Sequence, residues 1–401
     1  MKIGLYITAL GAGGAERVVS RLSSILMNQG HSVYVILSET ENMAYPLEGT
    51  PIDIGIQSEK SMYKRIAVLV KRTRALQRIK KSESLDVVIS FLDGANIVNI
   101  LAKNKNTKAY ASIRNHQSSI LLNKSRFGVL LHRLSMGFLY RRATGVINVS
   151  KVVAADVGNL YKIPQHKLSV LYNPYDVAMI QQSSLEDAPR DFQASIEGKS
   201  RIICSTGRLQ HQKGFWHLLK VFAQINPGES RIGLVIIGTG EHDTALRQLA
   251  RDLAIEDSVF FAGYQENPFS IMKHCDLYVL SSLFEGFPNA MVEAMCIGLP
   301  VIATDCKSGP REILAPELDI TGSHIEAMVK ASFGILMPPL SSQEDWSASI
   351  DAEELLWGKE LRALVNDDML LQEYAKKSVI RAEDFSEEAC YHQLMNIIGT
   401  K

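Results

Sequence analysis

The sequence predicts an α/β protein made of two doubly wound domains, each with a parallel sheet. Short apolar segments that suit buried strands alternate along the chain with longer amphipathic segments that suit helices. The clearest strand–helix–strand unit spans residues 276–305, where Gly298 and Pro300 separate the helix from the second strand. A chain of 401 residues is long enough for two domains that each have a full core.

Composition places the chain among globular proteins and narrows its class. Hydrophobic residues make up 46% of the chain, charged residues make up 21%, and the formal net charge is zero, so no global field favours nucleic acid. The five cysteines form no C-x-x-C pair, which favours small buried thiols in a reducing compartment. The N-terminus reads as a first strand rather than a signal peptide, and no apolar run reaches ~18 residues. We therefore predict a cytoplasmic protein without a transmembrane helix.

The first domain begins with a predicted strand, a glycine-rich loop and an amphipathic helix. Its strands are predicted at residues 2–10, 31–38, 85–91, 109–113, 145–149 and 168–172. The loop matches G-x-G-x-x-G incompletely, because Glu16 stands where the third glycine is expected, so a dinucleotide fingerprint is not indicated. Gly13 and Gly14 either serve a tight turn alone or bring the backbone close to a ligand, and the glycines by themselves leave both open.

Residues 60–81 form a strongly basic segment with nine Lys or Arg residues and no acid. Its apolar residues keep a rough helical spacing, and the cations fall largely on other faces. Three interpretations stay open: the helix contacts an anionic membrane surface, binds the pyrophosphate of a lipid-linked acceptor, or is a solvated surface helix. The candidate contact residues are Lys64, Arg65, Lys71, Arg72, Arg74 and Arg78. Further basic residues at 124, 126, 133, 141 and 142 favour a domain that faces the membrane.

Polar residues follow the predicted strand 109–113, where open α/β sheets place their ligands. Arg114 and His116 are the candidates there, and the sequence does not decide between them. A lone histidine is more often structural than functional, so this prediction rests on position alone.

The second domain is predicted to begin after an Asn-Pro step at residues 173–174, where the chain is expected to change direction. Residues 181–199 are polar and acidic and contain Pro and Gly, so we predict a linker or loop there. Strands are predicted at residues 202–206, 232–237, 259–264 and 277–280, and another begins at residue 301.

A cation-bearing loop follows the first strand of this domain at once. The string G-R-L-Q-H-Q-K-G occupies residues 207–214 and opens a helix rich in apolar residues. Arg208 offers a planar fork to phosphate oxygens, and Lys213 offers a compact charge. The position at the carboxyl end of a strand predicts that both cations bind an anionic ligand.

Two carboxylates frame the helix start in the unit 276–305. Glu285 lies in the loop before the helix and Glu293 lies inside it, while Gly286 is expected to take a conformation that other residues resist. Pro288 suits the first helical position, and the helix is predicted to run for about three turns. The N–H groups of Asn289, Ala290 and Met291 are then expected to be unpaired and to favour an anion, while the carboxylates accept hydrogen bonds from sugar hydroxyls.

The string E-G-F-P-N-x-x-x-E resembles the E-x7-E signature of the retaining glycosyltransferases of family four, which have the GT-B fold. The resemblance implies two Rossmann-like domains that face each other across a cleft, with Glu285 on the donor sugar and Glu293 on the nucleotide ribose. The string G-R-x4-K-G is similar to the donor diphosphate clamp of the family, and G-G-A-E-R is similar to its first loop. The donor-binding residues so implied are Gly13, Gly14, Gly207, Tyr264, Phe287, Asn289, Ala290, Met291 and Glu293, with Arg208, Lys213, Glu285 and His116 as catalytic residues.

The resemblance also implies which part of the chain binds which substrate. Residues 1–172 are expected to bind the acceptor, residues 173–380 the nucleotide sugar, and residues 381–401 to form a helix that returns to the first domain. The expected activity is the retaining transfer of a hexose or N-acetylhexosamine from a nucleotide sugar, with UDP as the favoured nucleotide. The expected acceptor is an undecaprenyl-pyrophosphate-linked saccharide at the cytoplasmic face of the inner membrane, as in O-antigen assembly. No cofactor is required, and no D-x-D metal motif is evident. A sugar-nucleotide epimerase of the same architecture and a non-catalytic sugar- or lipid-binding scaffold are the alternatives.

Overall fold

The computed structural model describes residues 1–11, 13–39, 45–59, 61–121, 125–225, 231–320 and 322–399. The chain divides into two compact units. Unit 1 comprises Met1–Pro174 and Glu387–Lys401, and unit 2 comprises Tyr175–Ser386.

Unit 1 is built on a seven-stranded parallel sheet in the order β3-β2-β1-β4-β5-β6-β7. Its strands are β1 Lys2–Ile7, β2 Ser32–Leu37, β3 Thr50–Asp53, β4 Val87–Phe91, β5 Lys108–Ile113, β6 Gly145–Asn148 and β7 Leu168–Val170. Its helices are α1 Gly14–Asn28, α2 Met62–Ser82, α3 Asp93–Leu101, α4 Gln117–Ile120, α5 Arg126–Arg142, α6 Lys151–Tyr161 and the C-terminal helix Glu387–Ile398. The predicted strands of this domain are all present, most of them with shorter ends, and β3 was not predicted.

Helices cover both faces of the unit 1 sheet, because side chains along each buried strand alternate between the two faces. On one face, α1 and the C-terminal helix pack with Leu5, Val35 and Ile89 in one apolar cluster. On the other face, Tyr6 and Val88 pack with residues of α2 and α3. The C-terminal helix thus completes the core of unit 1 and not that of unit 2.

Unit 2 repeats this architecture with a second seven-stranded sheet in the order β10-β9-β8-β11-β12-β14-β13. Its strands are β8 Arg201–Thr206, β9 Ile232–Ile237, β10 Val259–Gly263, β11 Leu277–Leu280, β12 Val301–Thr304, β13 Val329–Lys330 and β14 Ile335–Met337. All neighbours are parallel except β13 and β14. The helices are α7 Val177–Ser184, α8 Arg190–Ile196, α9 Phe215–Ala223, α10 Asp243–Asp252, α11 Phe269–Met272, α12 Asn289–Cys296, α13 Pro310–Leu314, α14 Ala352–Leu364 and α15 Asp368–Glu383, so the C-terminal helix of unit 1 is α16.

The fold class is therefore as predicted, but the predicted loop at residues 181–199 is wrong. Most of this segment lies in α7 and α8. Asp176 caps α7 by accepting a hydrogen bond from the Met179 N–H over 2.9 Å, and Phe192 of α8 is fully buried. Polar composition suggested a loop because both helices are short and expose most of their surface.

No helix in the described ranges is both long and apolar enough to span a bilayer. All five cysteines are buried and unpaired, as predicted.

Lys80 is a buried cation in unit 1. Its Nζ donates to the carbonyl oxygens of Asn99 (3.1 Å) and Ala102 (3.2 Å), at the C-terminal end of α3. These carbonyls carry the negative end of the helix dipole, so the ammonium has favourable partners there. Burial, and to a smaller extent the charge of Lys103, lower the pKa of Lys80 to about 7.

The depressed pKa of Lys80 predicts a pH-dependent stability. An unfolded lysine titrates near pH ~10.4, so between pH ~7 and ~10 the unfolded chain binds more protons, and stability rises with pH. We expect the melting temperature of the protein minus that of Lys80→Met to increase across this window, because the variant lacks the group. The exposed Lys81→Met is the matched control. Parallel curves for the protein and Lys80→Met would contradict this account.

Candidate active site

The candidate active site of unit 2 lies where the strand order reverses. β8 and β11 are neighbours, but β8 continues to β9 on one side while β11 continues to β12 on the other. Two loops, residues 207–214 after β8 and residues 281–288 after β11, leave the sheet at the carboxyl ends of these strands. Such a switch point is where open α/β sheets bind ligands.

An ion pair joins the two loops at this point. Lys213 Nζ donates to Glu285 Oε1 over 2.6 Å, and the Glu285 side chain is only 6% exposed. Ser282 Oγ also donates to Oε1 (2.7 Å), and Gln212 Nε2 donates to Oε2 (3.2 Å). The carboxylate is therefore buried but paired and hydrogen-bonded on both oxygens, as a buried charge must be.

Hydrogen bonds to backbone carbonyls fix the two loops further. The Leu283 N–H donates to Gln212 O (2.8 Å), and Gln212 Nε2 also donates to Phe284 O (2.9 Å). Ser281 Oγ donates to Lys213 O over 2.8 Å. The position of Lys213 thus depends on both loops. Both loops therefore determine where a ligand that binds this lysine lies.

Arg208 is the exposed cation of this site. Within the described part of the chain, its guanidinium has no hydrogen-bond or ion-pair partner, so all its donors remain available. Lys213 uses one of its three ammonium donors on Glu285. The loop therefore presents one unused guanidinium and one partly used ammonium, which suits two adjacent phosphate groups.

Close backbone packing holds this loop in place. A side chain at Gly207 would meet the Lys213 stem at 2.9 Å, so the missing side chain makes room for the lysine. Gly238, just after β9, has φ 141, and a Cβ there would lie 1.9 Å from Gly207 O. A side chain at Gly238 would therefore push the start of the cation-bearing loop away from the sheet.

The helix start after β11 differs from its prediction in three details. Helix α12 has eight residues, about two turns, rather than three. The Met291 N–H is not unpaired, because it donates to Pro288 O over 3.1 Å in a tight first turn. Gly286 does not have a positive φ; Ser308 (φ 67) and Gly309 (φ 98) of the adjacent loop do.

The remaining predicted residues of this loop and helix are mostly buried. Glu293 is buried at 7% exposure, and its charge, like that of Glu285 and after burial and Cys204, contributes to raising the pKa of Tyr278. Phe287 is buried and packs edge-on against Phe385, with ring centroids 5.4 Å apart. The Asn289 side chain accepts a hydrogen bond from Tyr175 OH (2.6 Å). Of these residues, Glu293 shares the environment of the Lys213–Glu285 pair.

Tyr264, the candidate for contact with the nucleotide base, follows β10 and is 76% exposed. β10 is the edge strand of the sheet, two strands away from β8. The structure therefore gives this tyrosine an open position and does not place it against the ion pair.

The sequence missed the residues that support the site. Gln212, Ser281 and Ser282 hold Lys213 and Glu285, and Asp305 forms a two-point ion pair with Arg311 in the next loop, with Arg311 Nε 2.8 Å from Asp305 Oδ1. Thr304 Oγ1 donates to Ser282 O over 2.6 Å and so links that loop to the site. Gln212 and Ser282 could have been predicted from the sequence only because they lie in the same loops as Lys213 and Glu285.

In unit 1, Gly13 and Gly14 mark the start of α1, just after β1, and Glu16 lies against Gly13. His116 follows β5 and caps α4: its Nδ1 accepts from the Ser119 N–H (3.3 Å), and its Nε2 lies 3.8 Å from Asp156 Oδ1. Arg114 donates to Leu171 O and to the Asn173 side chain. These contacts give Arg114 and His116 structural roles, and a catalytic role for His116 stays a prediction.

The basic helix α2 separates its cations into two groups. Lys64, Arg65, Lys71, Arg74 and Arg78 are exposed. Arg72 is buried instead, and donates to Ile56 O (2.6 Å) and Glu39 Oε1 (2.9 Å). Arg72 therefore does not belong to the surface predicted for it, because its helical position faces the segments that follow β2 and β3. Lys60 and Lys124 lie outside the described residues.

Among the described residues, one group of possible metal ligands comes together, namely His217, Asp351 and Glu354, whose ligand atoms lie within 4.8 Å of one another. Glu354 accepts from His217 Nδ1 (2.5 Å) and from the Asp351 N–H (2.9 Å), and Asp351 accepts from the Glu354 N–H (2.7 Å). This is the capping box of α14 with a buried histidine attached, which accounts for the group without a ligand.

The packing of Gly238 predicts a position-specific loss of stability. We expect Gly238→Ala to destabilise unit 2 by about 3 kcal/mol, from backbone strain and overpacking together. Gly263→Ala is the control, because Gly263 has φ 66 but nothing lies within 4 Å of the Cβ position, so only about 1 kcal/mol is expected. Denaturant unfolding of both variants checks this, and equal losses would show that the contact with Gly207 does not matter.

Comparison with known proteins identifies the family to which the chain belongs. The model of Glycosyltransferase Family 4 matches residues 12–179, and the model of Glycosyl transferases group 1 matches residues 187–333. An uncharacterised glycosyltransferase of Methanocaldococcus jannaschii is 31% identical over 332 residues, which cover 80% of each chain. The N-acetylgalactosamine-N,N'-diacetylbacillosaminyl-diphospho-undecaprenol 4-α-N-acetylgalactosaminyltransferase of Campylobacter jejuni is 27% identical over 390 residues, 96% of each chain.

Solved structures agree on the fold. The Anabaena protein HepE in complex with UDP aligns over all of both chains with a TM-score of 0.74 at 18% identity. The apo form of the lipopolysaccharide outer core galactosyltransferase WaaB aligns over 100% of this chain and 99% of its own, with a TM-score of 0.71 at 19% identity. The predicted family and fold class are confirmed: the chain belongs to the family-4 glycosyltransferases and has the GT-B fold.

Proposed function

We propose that this glycosyltransferase moves a hexose or N-acetylhexosamine, with retention, from a UDP-sugar to a saccharide that is linked through pyrophosphate to a polyprenyl lipid. The observation that carries the proposal is the Lys213–Glu285 pair at the switch point of unit 2, in the same loop as Arg208, whose guanidinium has no partner among the described residues. The solved complex of HepE with UDP and the name of the Campylobacter relative, which specifies an undecaprenol-linked diphospho-saccharide, support the donor and the acceptor respectively.

The chemistry follows from the charges of the cation-bearing loop. When the bond from the sugar to the diphosphate breaks, negative charge grows on the leaving phosphate. Arg208 and Lys213 supply fixed positive charge and N–H donors where the diphosphate would lie, so they stabilise the transition state more than the intact donor. Glu285 keeps Lys213 oriented, and its oxygens suit the hydroxyls of the donor sugar.

The proposed route to retention does not use Glu285 as a nucleophile. Oε1 already accepts hydrogen bonds from Lys213 and Ser282, and Oε2, which accepts from Gln212, keeps a lone pair for a hydroxyl of the donor sugar. The proposed route is a front-side, substrate-assisted transfer through an oxocarbenium-like state. The bond from the anomeric carbon to the diphosphate breaks, the acceptor hydroxyl oxygen bonds to that carbon on the same face, and an oxygen of the leaving diphosphate accepts the hydroxyl proton.

The acceptor assignment draws on unit 1. The exposed cations of α2 suit either an anionic membrane surface or the pyrophosphate of the acceptor lipid, and a solvated helix is the third reading. We propose that the protein works as a peripheral protein on the cytoplasmic face of the inner membrane in surface-polysaccharide assembly, where such lipid-linked saccharides are extended.

The clamp predicts a large loss of turnover in Arg208→Ala. We expect the rate to fall about 10²-fold or more, by analogy with the loss of one oxyanion donor. Arg208 is exposed, so its loss should leave the melting temperature unchanged. Lys213→Ala should lose as much activity, but it also leaves the buried Glu285 without its cation, and its stability must be measured alongside. Exposed Lys273→Ala is the matched control, and full activity in Arg208→Ala and Lys213→Ala would rule out the clamp.

A donor panel tests the proposed function as a whole. The purified protein is heated with UDP-glucose, UDP-galactose, the two UDP-N-acetylhexosamines and GDP-mannose, and slow release of nucleotide is followed. A donor at a hundredfold excess over its Kd should stabilise the fold by about 2.7 kcal/mol. We expect one UDP-sugar to stabilise the protein and to be hydrolysed slowly with retention of anomeric configuration, as seen by NMR.

Each contrary outcome identifies one alternative. Rapid formation of free, epimerised sugar without any acceptor would indicate an epimerase. Failure of every donor to bind would indicate a non-catalytic scaffold. Transfer to a pyrophosphate-linked saccharide, but not to the same saccharide without its pyrophosphate, would support the proposed acceptor class, and equal transfer to both would contradict it.

A further inference from the structure

Helix α5 of unit 1 exposes a continuous apolar stripe. The stripe consists of Phe127, Leu130, Leu131, Leu134 and Phe138, each between 51% and 76% exposed. Their spacing of three and four residues places them within an arc of about 100° on the helix surface. Single exposed apolar residues are common, but five large ones in a row mark an interaction surface.

Other residues of α5 pack against unit 1, and these contacts keep the stripe facing solvent. Met136 and Tyr140 are buried in unit 1. Gly137 lets α5 approach α6 closely, since a Cβ there would lie 2.8 Å from Tyr161 O. His132 Nε2 lies 3.0 Å from Tyr161 OH. The helix cannot rotate its apolar stripe inward without breaking these contacts.

Arginines line the stripe and end the helix. Arg126 and Arg133 lie along one edge, and Arg141 and Arg142 lie at the C-terminal end, where the Arg142 guanidinium sits 5.4 Å from the centre of the Phe138 ring. No Asp or Glu occurs anywhere in α5. Apolar side chains flanked by long cationic ones fit the boundary between acyl chains and anionic headgroups.

We propose that the α5 stripe inserts into the surface of a bilayer that contains anionic lipid, with the helix lying in the plane of the membrane. The charge pattern decides against a second copy of the chain, because two such helices face to face would bring together four arginines from each with no carboxylate between them. A helix of 17 residues with arginines at both ends does not cross the bilayer.

The basic helix α2 extends this surface. Helix α3 contacts both α2 and α5, so these two lie on the same face of the unit 1 sheet. Along α2, Tyr63, Ile66 and Val70 are exposed among the exposed cations. Under this assignment α5 provides the apolar insertion and α2 adds attraction to headgroups.

Vesicle binding by the full-length protein tests the stripe. Sedimentation is measured with vesicles of phosphatidylcholine alone and with one-third phosphatidylglycerol. We expect the triple variant Phe127→Gln, Leu134→Gln, Phe138→Gln to lose about tenfold or more in partition onto the anionic vesicles, at an unchanged melting temperature. The control variant changes Leu185, Leu355 and Met369 of unit 2 to Gln; these are 62% to 84% exposed, and binding should stay unchanged.

Two further measurements separate insertion from adsorption. Phe127→Trp should show blue-shifted emission and quenching by brominated lipid tails, and binding should persist in part at 1 M salt, where the Debye length is ~3 Å. Wild-type binding by the triple variant, an unshifted Trp emission on vesicles, or lipid-free dimers that the triple variant abolishes would each overturn the proposal.

The proposal rests on the proposed function only for its biological reason, a lipid-linked acceptor. Donor binding and hydrolysis in lipid-free solution report on unit 2 chemistry and should be identical in the triple variant. Vesicle binding without donor hydrolysis would therefore refute the proposed chemistry of unit 2 alone. Hydrolysis without vesicle binding would refute the membrane surface, and with it the proposed peripheral location, but not that chemistry.

Discussion

The pairing of Lys213 with a buried Glu285 is the constraint on which the site depends. A carboxylate that is 6% exposed is tolerated only with a cation and further donors at hand. Lys213 and Glu285 come from loops after two different strands, so satisfying this one charge brings those loops together at the switch point. Glycine is therefore required at positions 207 and 238. The Lys213 stem leaves no space for a side chain at Gly207, and the loop backbone leaves none at Gly238.

The same rule sorts the cations of unit 1. Arg72 and Lys80 are buried. Arg72 donates to the Glu39 carboxylate and Lys80 donates to backbone carbonyls, so both stabilise the fold. Cations that turn outward on α2 and α5 remain solvated and stand among exposed apolar side chains. Burial demands a partner inside the protein, whereas exposed charge beside exposed apolar surface points to a partner outside it.

The two units thus carry different kinds of surface on the same architecture. Unit 2 presents cations at a switch point, which suits the diphosphate of a sugar donor. Unit 1 presents basic and apolar helices, which suit a lipid surface. Under the proposed function this division matches the two substrates, since a nucleotide sugar is a small soluble anion and a polyprenyl-linked saccharide is anchored in a membrane.

The sequence by itself determined the family, the fold class and most strands, because strand–loop–helix units and their terminal motifs are local patterns. It also singled out Arg208, Lys213, Glu285 and Glu293, whose roles in the site stay predictions. It misjudged residues 181–199, the length of α12 and the N–H of Met291, where packing and the first helical turn decide. Tertiary structure alone decided that Lys213 meets Glu285, that Arg72 and Lys80 are buried and that the α5 stripe is exposed. Spacing specifies which side chains share a helix face, but only the neighbouring elements determine whether that face is covered.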